Sequence, residues 1–289
     1  MRRFVDIALL VAACWFAAYA ARTAEIKAPE SVVAGTAVAI ETSGSGDATF
    51  YLIGPSHAEK QTIKLGQTVN IGGESVRAAG RYLAVVRARD NSSSAWFSVK
   101  PAKPANVNFL ARPSRVPVAR PEVISGVAFV FDEYRNLVLE PAEVKFTVAV
   151  GNAPPATRTE TAKLGVAWTR MDSSRKEGAA QFVVGLDGIS ERRVVQLVAS
   201  DPCNLRMRAQ RTEKAILVET DPIRDCSGNP VPDGTIVTFT AVDQRGRSTV
   251  DARIKRGTAR AELPLSDGAL ISVASGVVMG NEIRIGGGR

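Results

Sequence analysis

From Glu25 onward the sequence alternates apolar and polar residues in short runs broken by Gly, Pro, Asn and Asp. No stretch of about 12 residues in this part of the chain carries the 3.6-residue period of a helix. In Leu205-Arg206-Met207-Arg208-Ala209-Gln210 the alternation is one by one, as a half-buried strand requires, because neighbouring side chains leave opposite faces. Strands are expected at Ala48–Ile53, Tyr82–Arg87, Val123–Phe131, Val144–Val150, Ile236–Val242 and Ala269–Ala274. The fold class is therefore all-β. With 45% hydrophobic residues in 289, the chain can bury sizeable cores.

Arg2 and Arg3 precede an apolar run from Phe4 to Ala21, interrupted by Asp6 and closing on the small-x-small pattern Ala18-Tyr19-Ala20. Residues 1–24 are expected to be a secretory signal cleaved near Ala21, or a membrane anchor helix that is retained. A third fate is lipidation at Cys14, since Val11-Ala12-Ala13-Cys14 resembles a lipobox. Two Pro-containing hinges, Lys100–Pro104 and Ser200–Pro202, divide the remainder, because Pro removes a ladder donor and favours extended linkers. The expected domains are 25–101, 105–201 and 202–289, each near the size of one β-sandwich.

An internal repeat links the second and third domains. Asp132–Thr147 aligns without a gap on Asp225–Thr240 and matches it at Asp225, Asn229, Val231, Val237, Phe239 and Thr240. Farther on, Lys176–Ala180 is expected to parallel Lys255–Ala259, with the extra residues of the second domain around Gly151–Arg175. Asp225-Cys226-Ser227-Gly228-Asn229-Pro230-Val231-Pro232-Asp233-Gly234-Thr235-Ile236-Val237-Thr238-Phe239-Thr240, followed by Gly257-Thr258-Ala259, resembles the bacterial Ig-like domains of the invasin and intimin type. The resemblance implies tandem Ig-like sandwiches serving as extracytoplasmic spacer or adhesion modules, with neither catalysis nor cofactor. In the first domain, Ala79-Gly80-Arg81-Tyr82-Leu83-Ala84 resembles the tyrosine corner of Ig-like sandwiches, with Ala84 where antibody domains have Cys.

With Cys14 removed in the leader, Cys203 and Cys226 remain as an even pair, and in an oxidising compartment they are expected to form a disulfide. The single histidine, His57, lies in the turn-like Gly54–Ala58 and rules out a His-rich metal site. Asp221, Asp225, Asn229 and Asp233 gather oxygen ligands, but their spacing is not that of an EF-hand and also suits turns. No cofactor, metal or catalytic residue is assigned.

The formal net charge is +8, and the third domain carries the largest share among the three. There Arg206 and Arg208 are placed on one strand, Arg253 and Lys255 on another, and Arg260 on a third. If those strands are neighbours, they offer a surface to an anionic envelope polymer, an envelope protein or a membrane. Nucleic acid is not expected, since no aromatic residues interleave with these charges. The leading functional expectation is a non-enzymatic binding or structural module of the bacterial envelope, periplasmic, secreted or on the cell surface. The alternative is an accessory subunit positioning an envelope machine or surface enzyme.

Overall fold

The computed structural model describes residues 24–89 and 91–286. The expected leader, with Cys14 and the Ala18–Ala20 pattern, lies outside the described residues. The chain forms two compact units, one running to Asn106 and including Val130–Glu140, the other made of Val107–Phe129 and Pro141 onward. Both are built from strands; among the described residues the one helical segment is a 3-10 turn at Gly73–Val76.

The first unit contains β1 (Glu25–Lys27), β2 (Ser31–Val33), β3 (Val38–Ser43), β4 (Asp47–Ile53), β5 (Ala58–Lys64), β6 (Val69–Ile71), β7 (Gly80–Arg87) and β8 (Ser92–Lys100). They form a three-stranded sheet, β1-β3-β6, and a five-stranded sheet, β2-β8-β7-β4-β5. Inward positions of the two sheets share one core containing Ile40, Phe50, Ile71, Tyr82 and Phe97. The expected tyrosine corner is present. The Tyr82 hydroxyl donates to the Ala78 carbonyl at 3.0 Å, and Ala84, two places on, is buried. Tyr82→Phe removes the donor and leaves that carbonyl unpaired. Urea unfolding of the first unit should register a loss of about 1 kcal/mol.

β9 (Asn106–Arg112), β10 (Arg115–Pro117), β11 (Ile124–Phe131), β12 (Ala142–Val150), β13 (Ala156–Ala162), β14 (Val166–Met171), β15 (Gly178–Leu186) and β16 (Ile189–Val198) repeat the arrangement. The sheets are β14-β11-β9 and β10-β16-β15-β12-β13. Phe182 meets Phe109 edge-on at 4.9 Å, and Phe146 lies 6.0 Å from Phe109. Gly126 makes room for this cluster: a Cβ there would stand 2.6 Å from Phe182 and 2.9 Å from Phe109.

The third group comprises β17 (Pro202–Cys203), β18 (Met207–Arg211), β19 (Ala215–Thr220), β20 (Arg224–Asp225), β21 (Ile236–Asp243), β22 (Gly246–Arg253), β23 (Arg260–Pro264), β24 (Ala269–Ser275) and β25 (Val278–Ile285). Its sheets are β18-β19-β23 and β22-β21-β24-β25, with the short pair β17-β20 beside them. Phe239, Ile216, Ile271 and Val273 are fully buried in their common core. All six expected strands are present, as β4, β7, β11, β12, β21 and β24.

The repeat around Asp132 and Asp225 has a structural cause. Asp132 Oδ1 accepts the N–H groups of Tyr134 and Asn136, while Oδ2 accepts the Asn136 amide and the Ala102 N–H. Asp225 does the same with Ser227, Asn229, the Asn229 amide and the Ser200 N–H. Each Asn then reaches out of its own turn. Asn136 donates to the Arg77 carbonyl and accepts the Ala79 N–H, both at 2.8 Å. Asn229 donates to the Arg175 carbonyl at 2.6 Å and accepts the Glu177 N–H at 3.2 Å. The Asp organises the turn, and the Asn ties that turn to the segment ahead of β7 or β15.

One expected alignment is corrected. Lys176–Ala180 leads into β15, whereas Lys255–Ala259 leads into β23, the counterpart of β14 in sheet order. The true counterpart of Lys255–Thr258 is Lys163–Val166, which closes the same two-residue hairpin with reciprocal backbone hydrogen bonds. Both turns have positive φ at two successive residues, Leu164 and Gly165 in one, Arg256 and Gly257 in the other. That backbone form matches the twist of the flanking strands. The connection β14–β15 is only slightly longer than β23–β24; the larger difference lies between β9 and β11, where the second group carries β10 and the third group has only the short turn Thr212–Lys214.

Candidate anionic-ligand site

The cations singled out in the third group are distributed over two sheets. Arg208 stands on β18 in one row with Glu219 on β19 and Arg260 on β23, through the pairings Arg208↔Glu219 and Glu219↔Arg260. The row is cation, carboxylate, cation. Arg260 pairs with Glu219 at 2.7 Å, and Arg208 turns to Asp221 at 2.9 Å. Arg206 lies just ahead of β18 and is exposed; its carbonyl accepts the Asp221 N–H.

Arg253 ends β22 and Lys255 follows it, in the four-stranded sheet. The alternation of β22 exposes Arg253, and the buried Ile254 anchors the chain between the two cations. β22 and β23 are edge strands of their respective sheets, and between them runs a cleft of about 850 Å³ lined by Arg253, Lys255, Arg256 and Arg260, with Glu219 and Asp251. Among the described residues no carboxylate lies within ion-pair distance of Arg253, Lys255 or Arg256. The Asp251 carboxylate accepts from the Thr238 hydroxyl at 2.6 Å.

The expectation that all four residues form one surface is therefore modified. Arg253 and Lys255 share a cleft with Arg256 and Arg260, while Arg208 belongs to the adjoining sheet face and has a partner. Alternation showed which side chains face water, but not that β22 and β18 belong to different sheets. Arg256 was missed altogether. Its signal was the Lys-x-Gly hairpin turn, which projects the residue before Gly257 from the tip.

Cys203 and Cys226 form the expected disulfide, with Cα atoms 4.9 Å apart. The oxygen ligands considered for calcium are engaged elsewhere. Asp233 accepts the Arg256 and Gly257 N–H groups, Asp221 pairs with Arg208, and Asp225 serves its turn. Burial would raise the Asp225 carboxyl, but the Asn229 amide and the N–H groups of Asn229, Ser200 and Ser227 outweigh it and hold the group below the ordinary carboxylate range. His57 lies at the β4–β5 turn, its ring 3.1 Å from Glu59.

Paired sheets with shared cores, repeated strand order and a tyrosine corner define the Ig-like β-sandwich class. Among solved structures, the Escherichia coli adhesin FdeC superposes with a TM-score of 0.56 at 13% identity, covering 92% of this chain and 96% of that one. Invasin, a bacterial integrin-binding protein, gives a TM-score of 0.48 at 13% identity, over 91% of this chain and 60% of that one. The likeness to FdeC is one of fold. No protein-family model matches the chain, and no curated protein matches it.

Proposed function

We propose that the protein is an extracytoplasmic, non-catalytic binding module of the bacterial envelope, with three tandem Ig-like domains at 25–101, 105–201 and 202–289. In this reading the third domain engages an anionic surface polymer. The observation that carries it is the β22–β23 cleft, where Arg253, Lys255 and Arg256 converge without carboxylate partners. The disulfide supports an oxidising compartment, and the adhesin fold supports a role in surface contact. Of the four cations proposed for this contact, Arg253 and Lys255 dominate, and Arg206 and Arg208 contribute from the neighbouring sheet.

Immobilised polyphosphate is a suitable probe for the full chain. Reversal of Arg253 and Lys255 to Glu should weaken binding about tenfold or more, since two charge reversals within one cleft alter its local potential strongly. Reversal of Arg206 and Arg208 should cost less, because an exposed ion pair already offsets Arg208. Binding should fade as salt shortens the Debye length from about 10 Å at 0.1 M to about 3 Å at 1 M. Polyphosphate binding that survives both 1 M salt and the Arg253/Lys255 reversal would refute the assignment.

A further inference from the structure

The outer face of the five-stranded sheet in the first unit combines aromatic rings with one-sided charge. Its register can be followed row by row. Trp96 on β8 stands beside Leu83 on β7, which stands beside Ile53 on β4. The next row runs Ser94, Val85, Tyr51 and Lys60. Arg87 follows beside Ser92, and on the other side of the Trp96 row Arg81 stands beside Ser98.

These residues alternate with the buried Phe50, Leu52, Tyr82, Ala84, Val86 and Phe97, so they face away from the core. Trp96 is 55% exposed and Ile53 47%. Aromatic and aliphatic side chains thus form an apolar strip across β8, β7 and β4. The corresponding face of the second group carries no aromatic ring: Thr147 stands opposite Thr157 and Lys145 opposite Thr159, with Gln181 on β15 and Arg192 on β16.

Charge on the first face is segregated. Arg81, Arg87, Lys60, Lys64 and Lys100 surround the strip. Of the carboxylates borne by β1–β8, Asp47 alone stands there, opposite Lys64. Glu25 and Glu41 belong to the three-stranded sheet, and Glu59 turns to the other side, where it accepts from the Ser75 hydroxyl. Each ring has one cation beside it: the Arg81 guanidinium lies 4.6 Å from the Trp96 ring centroid, and the Lys60 ammonium 5.8 Å from that of Tyr51.

We propose that this face binds an acidic polysaccharide, such as a polyuronate. Three features of the surface match three features of that ligand. The rings of Trp96 and Tyr51 suit the apolar C–H faces of sugar residues, and the Ser92, Ser94 and Ser98 hydroxyls along β8 suit its hydroxyl groups. Arg81, Arg87 and Lys60 suit carboxylates repeated along a chain, with Arg offering two-point hydrogen bonds. The face runs over successive strands about 4.8 Å apart, along which an extended polymer can lie. Single-stranded nucleic acid shares the charge and the stacking; polysaccharide is the choice because the disulfide supports an oxidising compartment, and to that extent the proposal rests on the extracytoplasmic reading above. The site uses none of the third-domain cations and stands independently of the function proposed for them.

Polygalacturonate is the probe, with dextran as the uncharged control and a single-stranded oligonucleotide as the rival polyanion, each titrated against the full chain by calorimetry. Polygalacturonate should bind at low ionic strength and dextran should not. Trp96→Ala should weaken binding about tenfold or more, as expected for a central aromatic anchor, and the triple reversal of Arg81, Arg87 and Lys60 to Glu should abolish it. Ser94→Glu, a small exposed change in the middle of the face, supplies an independent test and should also weaken binding about tenfold. The Arg253/Lys255 reversal should leave the affinity unchanged, which separates this site from the cleft in the third domain. The proposal is overturned by absence of polygalacturonate binding, by equal affinity for dextran, by tighter binding of the oligonucleotide, or by undiminished binding in Ser94→Glu or in natively melting Trp96→Ala.

Discussion

Asp225→Ala should lower stability by about 3 kcal/mol or more, an unusually large effect for one carboxylate at a turn. The side chain is 3% exposed and accepts N–H groups from Ser227, Asn229 and Ser200, as well as the Asn229 amide. Alanine leaves these donors without an acceptor, several of them shielded from water. It also frees Asn229, whose amide links this turn to Arg175 and Glu177. Urea unfolding measures the loss, and hydrogen exchange at the Ser200 and Ser227 amides localises it. A change below about 1 kcal/mol would show that water replaces the carboxylate at little cost.

The same variant has a pH signature. The Asp225 carboxyl is held below its ordinary range in the folded protein, so the unfolded chain binds the proton more readily. The stabilisation is complete above the unfolded Asp value of about 3.9 and is lost as pH falls through it toward the depressed folded value. Wild-type stability should therefore fall more steeply below about pH 4 than that of Asp225→Ala. Equal slopes would contradict the depressed folded-state value.

The Asp–Asn turn was legible in the sequence because one local geometry demands both residues four apart, and it occurs twice with the same outward bonds. The strands were legible because burial follows a period of two, as in the alternating pattern of β3 and β24. Lys176–Ala180 was misaligned because a five-residue match specifies a turn but not the strand that follows it. The hairpin Lys163–Val166 shares Lys and Gly with Lys255–Thr258 and differs at the other two positions, as Lys176–Ala179 does, so the true counterpart and the false one matched equally well and identity alone did not separate them.

The binding surfaces were less legible, for a reason particular to sheets: which residues share a face depends on strand order. Glu219 and Arg260 form an ionic cross-strand pair. At the corresponding place in the second group, Val127 stands opposite the exposed Trp168. The same framework thus presents an ion pair in one copy and an apolar pair in the other. In the first unit Arg81, Trp96 and Lys60 are distant along the chain, and the order β8-β7-β4-β5 assembles them. Alternation within each strand gives the outward side of each residue and nothing about its lateral neighbours.

Removing the disulfide, by reduction or by replacing Cys203 and Cys226 with Ser, should cost about 3 kcal/mol on the chain-entropy account, given the 23-residue separation of the cysteines. The fold itself should persist. The third group's core consists of residues such as Phe239, Ile216 and Ile271, none of which depends on the bridge for burial. The second group folds on the same template with Glu133 in the place of Cys226, and there the backbone bond from the Ala105 N–H to the Phe131 carbonyl holds the chain entry. Reduction should therefore leave the far-ultraviolet circular dichroism unchanged while lowering the unfolding midpoint in urea. Collapse of the spectrum on reduction would show instead that the bridge is required to form the third sandwich, and that β17 and β20, with their two residue pairs, cannot close its end alone.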